Sequence, residues 1–154
     1  MKNRFGGMIN VALVFAVIGL VPSIVRGSAD LYIDAAKKVA LTRTNVDCLG
    51  NSIPPVFDEP FGFAIINRAA SGKIIANVVL QHGTPSAVYS VRVIQTPSGA
   101  DCPTIDGTLT TDDDGNGNVN IQEAVAPGAT GAFVVLNNQL NFSGDFFTTQ
   151  KATF

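Results

Sequence analysis

The chain has 154 residues, 46% hydrophobic and 14% charged, with a formal net charge of −2, two cysteines and one histidine. Three of its ten basic residues (Lys2, Arg4 and Arg26) and none of its twelve acids fall in the first 29, so the other 125 residues carry seven basic against twelve acidic groups, a net of −5. An acidic segment of one-domain size with no basic patch argues against nucleic acid and anionic membrane surfaces as partners.

Met1 to Ala29 reads as an export signal. Lys2 and Arg4 give a basic start, Val11 to Val25 is an apolar run, and Gly27-Ser28-Ala29 supplies small residues for cleavage before Asp30. The run falls short of the roughly 20 apolar residues a membrane span needs. Two alternatives stay open: an uncleaved signal anchor, and a pilin-like arrangement. Gly6-Gly7 before Met8 resembles the cleavage point of type IV-like pilins, with Met8 to Leu41 as stalk helix, although Ala12 stands where that family commonly has Glu.

Val, Ile, Thr, Phe, Gly and Asn dominate the rest, without long helical periodicity, which predicts an all-β domain. The expected strands are Ala35–Thr44, Phe61–Asn67, Lys73–Gln81, Ala87–Gln95, Gly107–Thr111, Asn118–Ala124, Ala132–Leu136 and Phe146–Phe154. In the third, Ile74, Ala76, Val78 and Leu80 share one face. Cys48 to Pro60 and Thr96 to Asp106 read as loops. Seven or eight short strands with regular turn signals fit an immunoglobulin-like antiparallel β-sandwich at residues 30–154. Phe61, Phe63, Phe133, Phe142, Phe146, Phe147 and Phe154 are its expected core aromatics. Cys48 and Cys102 allow one pairing, which an oxidising compartment favours.

Asp112 to Glu123 has the spacing of a calcium loop, with oxygen side chains at Asp112, Asp114, Asn116 and Asn118, glycine at Gly117 and an acid at Glu123. These twelve residues resemble the loop of EF-hand proteins, and the resemblance implies calcium as ligand. The flanks, Gly107–Thr111 and Ala126-Pro127-Gly128, say strand and turn instead of helix. A plain β-hairpin explains the same Asp, Asn and Gly residues, because they tolerate tight turns. In a hairpin Glu123 stands several residues along the returning strand, and calcium binding would fall to Asp112, Asp114 and Asn116.

No catalytic constellation stands out. His82 precedes the turn residues Gly83-Thr84-Pro85, and Ser71, Ser86, Ser90, Ser98 and Ser143 lie outside any nucleophile elbow. Asp58-Glu59 and Asp145 are too scattered to nominate a carboxylate pair.

Tyr89 to Phe154 resembles a set of uncharacterised exported prokaryotic β-domain proteins. The resemblance rests on Tyr89-Ser90-Val91-Arg92, Ser98-Gly99-Ala100-Asp101-Cys102, Asp106-Gly107-Thr108-Leu109-Thr110-Thr111, Gly115-Asn116-Gly117-Asn118 and Gly131-Ala132-Phe133-Val134. It implies export, a β-fold and a recurrent hairpin turn at Gly115–Asn118, and carries no assigned activity. The leading expectation is therefore an exported, non-enzymatic structural or adhesive module, secreted or at the cell surface, able to self-associate through an exposed edge strand. A calcium-binding extracellular domain and a pilin-like filament subunit are the alternatives.

Overall fold

The computed structural model of the chain describes residues 35–99 and 101–154. The export segment, its cleavage site and most of the proposed stalk lie outside these residues. The described ones belong to a unit spanning residues 31–154.

Every regular element among the described residues is a strand: β1 (Lys37–Thr42), β2 (Asn45–Val46), β3 (Ser52–Ile53), β4 (Gly62–Arg68), β5 (Lys73–Leu80), β6 (Val88–Thr96), β7 (Gly107–Thr110), β8 (Gly117–Ala124), β9 (Gly131–Asn138), β10 (Phe146–Thr149) and β11 (Ala152–Thr153). The stalk reading carried a helix to Leu41. From Lys37 onward the chain is instead β1, because Leu41 and Val39 alternate into the core and the backbone pairs on both edges.

All pairings are antiparallel, in the order β7-β6-β9-β10-β1-β4-β5-β8, with β11 on β9 and β2–β3 forming a separate ribbon. The result is the expected all-β sandwich, with its layers joined along one edge. β1 makes the join: Lys37 to Ala40 pair with β4, while Leu41 and Thr42 pair with β10. The first layer is β1-β4-β5-β8 and the second β7-β6-β9-β10.

The end strands β7 and β8 meet at the opposite edge and nearly close a barrel. Each is laddered to another neighbour, β7 to β6 and β8 to β5. Two glycines let them approach. A Cβ on Gly117 would lie 2.5 Å from the Thr110 carbonyl oxygen, and one on Gly107 would lie 2.5 Å from Ile121 Cδ1.

The core fills the space between the layers. Ile74, Ala76, Val78 and Leu80 project from β5 as the alternation predicts, facing Tyr89, Val91 and Val93 of β6 and Val134 and Leu136 of β9. Phe147 lies against Phe61 and Tyr89, with ring centroids 5.1 and 5.8 Å away. All eight residues of β9 are buried, so both its faces are covered. Its outward side chains Phe133 and Val135 form a small second cluster with Ile94, beneath Val46 and Cys102. The segment read as a loop from Cys48 to Pro60 thus contributes β3, which pairs with β2 just before it, and this region roofs the outer face of the second layer. Phe142, expected in the core, is 54% exposed, because it sits in the β9–β10 loop beyond the sheet.

Candidate functional site

The acidic turn holds itself together. Asp112 Oδ1 accepts the backbone N–H groups of Asp114 (3.0 Å) and Asn116 (2.8 Å), and Asp112 N–H donates to the Asn116 carbonyl at 2.8 Å. This side-chain-to-backbone closure is what Asp offers a turn. The turn also docks on residues 82–86. Ser86 donates its N–H to the Asp112 carbonyl (2.9 Å) and its hydroxyl to Asp113 Oδ1 (2.7 Å), and Gly83 N–H donates to the Gly115 carbonyl (2.9 Å). Gly115 has φ +77°, and a Cβ there would lie 2.1 Å from the Gly83 carbonyl oxygen, so only glycine fits.

Asp112, Asp114 and Asn116 therefore share one turn. Asn118 stands exposed on β8, opposite Val79. Glu123 lies six residues beyond Gly117 along the same strand, about 20 Å away at ~3.3 Å per residue. The loop does not gather into one calcium shell. Among the described residues, no group of three or more His, Cys, Asp or Glu side chains is placed to hold a metal ion.

Glu123 belongs to a different constellation, at the β7–β8 seam. The Gln95 side chain reaches across from β6. Its Nε2 donates to Glu123 Oε1 (2.8 Å) and to the Ala124 carbonyl (2.9 Å), and its Oε1 accepts Ala126 N–H (2.7 Å). This one amide ties β6 to the C-terminal end of β8. Burial pushes the Glu123 carboxyl up to about 7, the nearby Asp106 and Asp101 charges push the same way, and Asp106 lies within hydrogen-bonding reach. Burial also raises Asp106, although its Oδ2 accepts Val93 N–H at 2.7 Å.

A buried carboxylate, Asp145, ties another corner. Asp145 Oδ2 accepts from Tyr89 Oη (2.6 Å), Thr84 Oγ1 (2.8 Å) and Asn138 Nδ2 (2.8 Å), while Arg43 Nη2 lies 3.4 Å from Oδ1. Burial alone would raise this carboxyl, but the hydrogen bonds and the Arg43 charge together hold it below the ordinary aspartate value.

The outer face of the second layer carries two grooves on either side of Val46 and Thr148. One, of about 270 Å³, lies between β1 and β10 under Val56 and Phe57. The other, of about 260 Å³, contains Arg92, Asn137 and Phe142. The disulfide between Cys48 and Cys102, with Cα atoms 5.6 Å apart, pins the roof of this face. Sequence reasoning found the cysteines and missed Gln95, Arg92, Asp106 and Asn137, whose roles depend on neighbours distant in the chain. No family model, curated protein or solved structure matches the chain.

Proposed function

We propose that the chain is an exported, non-enzymatic module working outside the cell or at its surface in a structural or adhesive role, with the outer face of its second layer as the contact surface. The observation that carries this reading is apolar exposure on the two loops bordering the grooves. Val56 is 55% exposed and Phe57 48% on one loop, and Leu140 97% and Phe142 54% on the other. Large apolar side chains concentrated at grooves mark contact surfaces. The Cys48–Cys102 bond suits an oxidising compartment.

Fractionation of a producing culture tests the reading. The native protein is expected in the envelope or medium with both thiols oxidised, and the surface-bound share is expected to fall several-fold in Phe57→Asp/Phe142→Asp. Retention inside the cell with free thiols would overturn export. Unchanged surface binding of the double variant would overturn the contact face.

A further inference from the structure

We propose that the cavity around Arg92 is a binding site for a carboxylate carried on a small, otherwise uncharged framework; the inference rests on the contact face proposed above and names what that face recognises. The floor is built by register. Arg92 of β6, Val135 of β9 and Thr148 of β10 stand in one cross-strand row, with Asn137 and Phe146 paired in the next. Asn45 borders the cavity on one side and Phe142 on the other.

Arg92 is a part-buried cation with neutral partners. Its Nη1 donates to the Cys102 carbonyl at 2.9 Å and its Nη2 to Asn137 Oδ1. Nε is enclosed and has no hydrogen-bond partner. No ion pair to Arg92 is formed among the described residues. A guanidinium has five N–H bonds, so one remains on each terminal nitrogen, the fork that matches the two oxygens of a carboxylate. Burial draws the Arg92 guanidinium below its ordinary value, with the charge of Asp106 opposing. No carboxylate of the described residues lies within ion-pair distance of this desolvated cation, and a carboxylate ligand would supply that contact.

The remaining walls set the ligand class. Asp47 also borders the cavity, but its oxygens accept from Leu49 N–H, Asn51 N–H and Asn51 Nδ2 within its own turn. One available cation beside one satisfied acid suits a monoanion better than a phosphate dianion. Phe142 lies over the Arg92 guanidinium, 5.4 Å from ring centroid to Cζ, and offers an apolar surface for the ligand body. About 260 Å³ holds a single sugar acid or amino-acid residue rather than an extended cofactor.

The test uses the full exported protein labelled with ¹⁵N at arginine, observed by NMR at Arg92 Nε–Hε. The probes are D-glucuronate against D-glucose and N-acetylglutamate against N-acetylglutamine, which separate a uronic-acid source from an acidic peptide source. A saturable shift with either acid, at least tenfold weaker or absent with its neutral counterpart, is expected. In Phe142→Ala, which alters an exposed side chain and leaves the floor intact, that affinity should fall several-fold. In Arg92→Gln, calorimetry should show it lost. No saturable shift, equal affinity for charged and neutral probes, or full affinity in Phe142→Ala would overturn the proposal. Should Arg92→Gln fail to fold, the Phe142 and neutral-probe arms decide. Surface retention that persists while carboxylate binding is absent would sink this site alone and leave the contact face standing.

Discussion

Glu123 keeps its proton to about pH 7 because burial and the neighbouring Asp106 and Asp101 charges disfavour its carboxylate by more than the Gln95 hydrogen bond favours it. Its folded-state value lies above the 4.5 expected of an unfolded chain, so the native state retains a proton that the unfolded state releases. Stability contributed here falls as pH rises from about 4.5 to about 7, then levels. Discounted for partial exposure, the loss is of the order of 2 kcal/mol. Asp145 has the opposite sign: its lowered value makes stability that is present above about pH 4 and lost below it. Urea unfolding from pH 4 to 8 should therefore show greatest stability near pH 5. Glu123→Gln should flatten the decline above that point, and an unchanged slope would sink this account of the seam. Asp145→Ala should cost about 3 kcal/mol or more at pH 7, because it strands the buried Tyr89 hydroxyl and Asn138 amide. Sequence gave no warning of either site. Asp106, Gln95 and Glu123 are separated by up to 28 residues, and Asp145 meets Tyr89 across 56.

Elements were more legible. Alternation along Lys73–Leu80 assigned its buried face correctly because one side of that strand meets the core and the other does not. The last strand was expected to run unbroken from Phe146 to Phe154, but it divides into β10 and β11, which use separate stretches of β9. The acidic turn was legible as a turn, but the strands it joins close the barrel and are not ladder partners. With Asp112 Oδ1 already accepting two backbone N–H groups and Glu123 about 20 Å away, excess calcium is expected to leave the melting temperature unchanged. Asp112→Ala should cost about 1 kcal/mol equally with calcium and with chelator. A calcium-dependent shift lost in that variant would reverse this reading. Gly62 is a sharper point of element geometry, with φ +125° and a built Cβ only 2.0 Å from the Val79 carbonyl oxygen. Gly62→Ala should lower the denaturant midpoint by an amount equivalent to about 2 kcal/mol or more, since both strain and a backbone clash oppose it.

Across the whole molecule, the disulfide closes a separation of 54 residues and pins the β2–β3 region over the second layer. Cross-linking a loop of that length stabilises by about 4 kcal/mol through the unfolded chain. Reduction, or Cys48→Ser/Cys102→Ser, should lower the melting temperature by about 15 °C in calorimetry. A shift of only a degree or two would mean that the roof is held by other contacts. The same roof makes the grooves, so carboxylate binding at Arg92 should weaken together with the loss of stability.

Composition and alternation determined by themselves that the described chain is all-β and antiparallel, that its two cysteines allow a single pairing, and that Asp112 to Asn116 turn sharply. Those properties are local, or follow from which side chains must leave water. Tertiary structure alone decided that β1 is shared by both layers, that β7 meets β8 without a ladder while Gln95 of β6 bonds to the end of β8, and that Glu123 lies beside Asp106 and apart from the acidic turn. It also placed Arg92 in a groove among neutral partners. Each of these depends on what burial brings together across the chain, and a charge or amide acquires its altered chemistry only from the neighbours that replace its water.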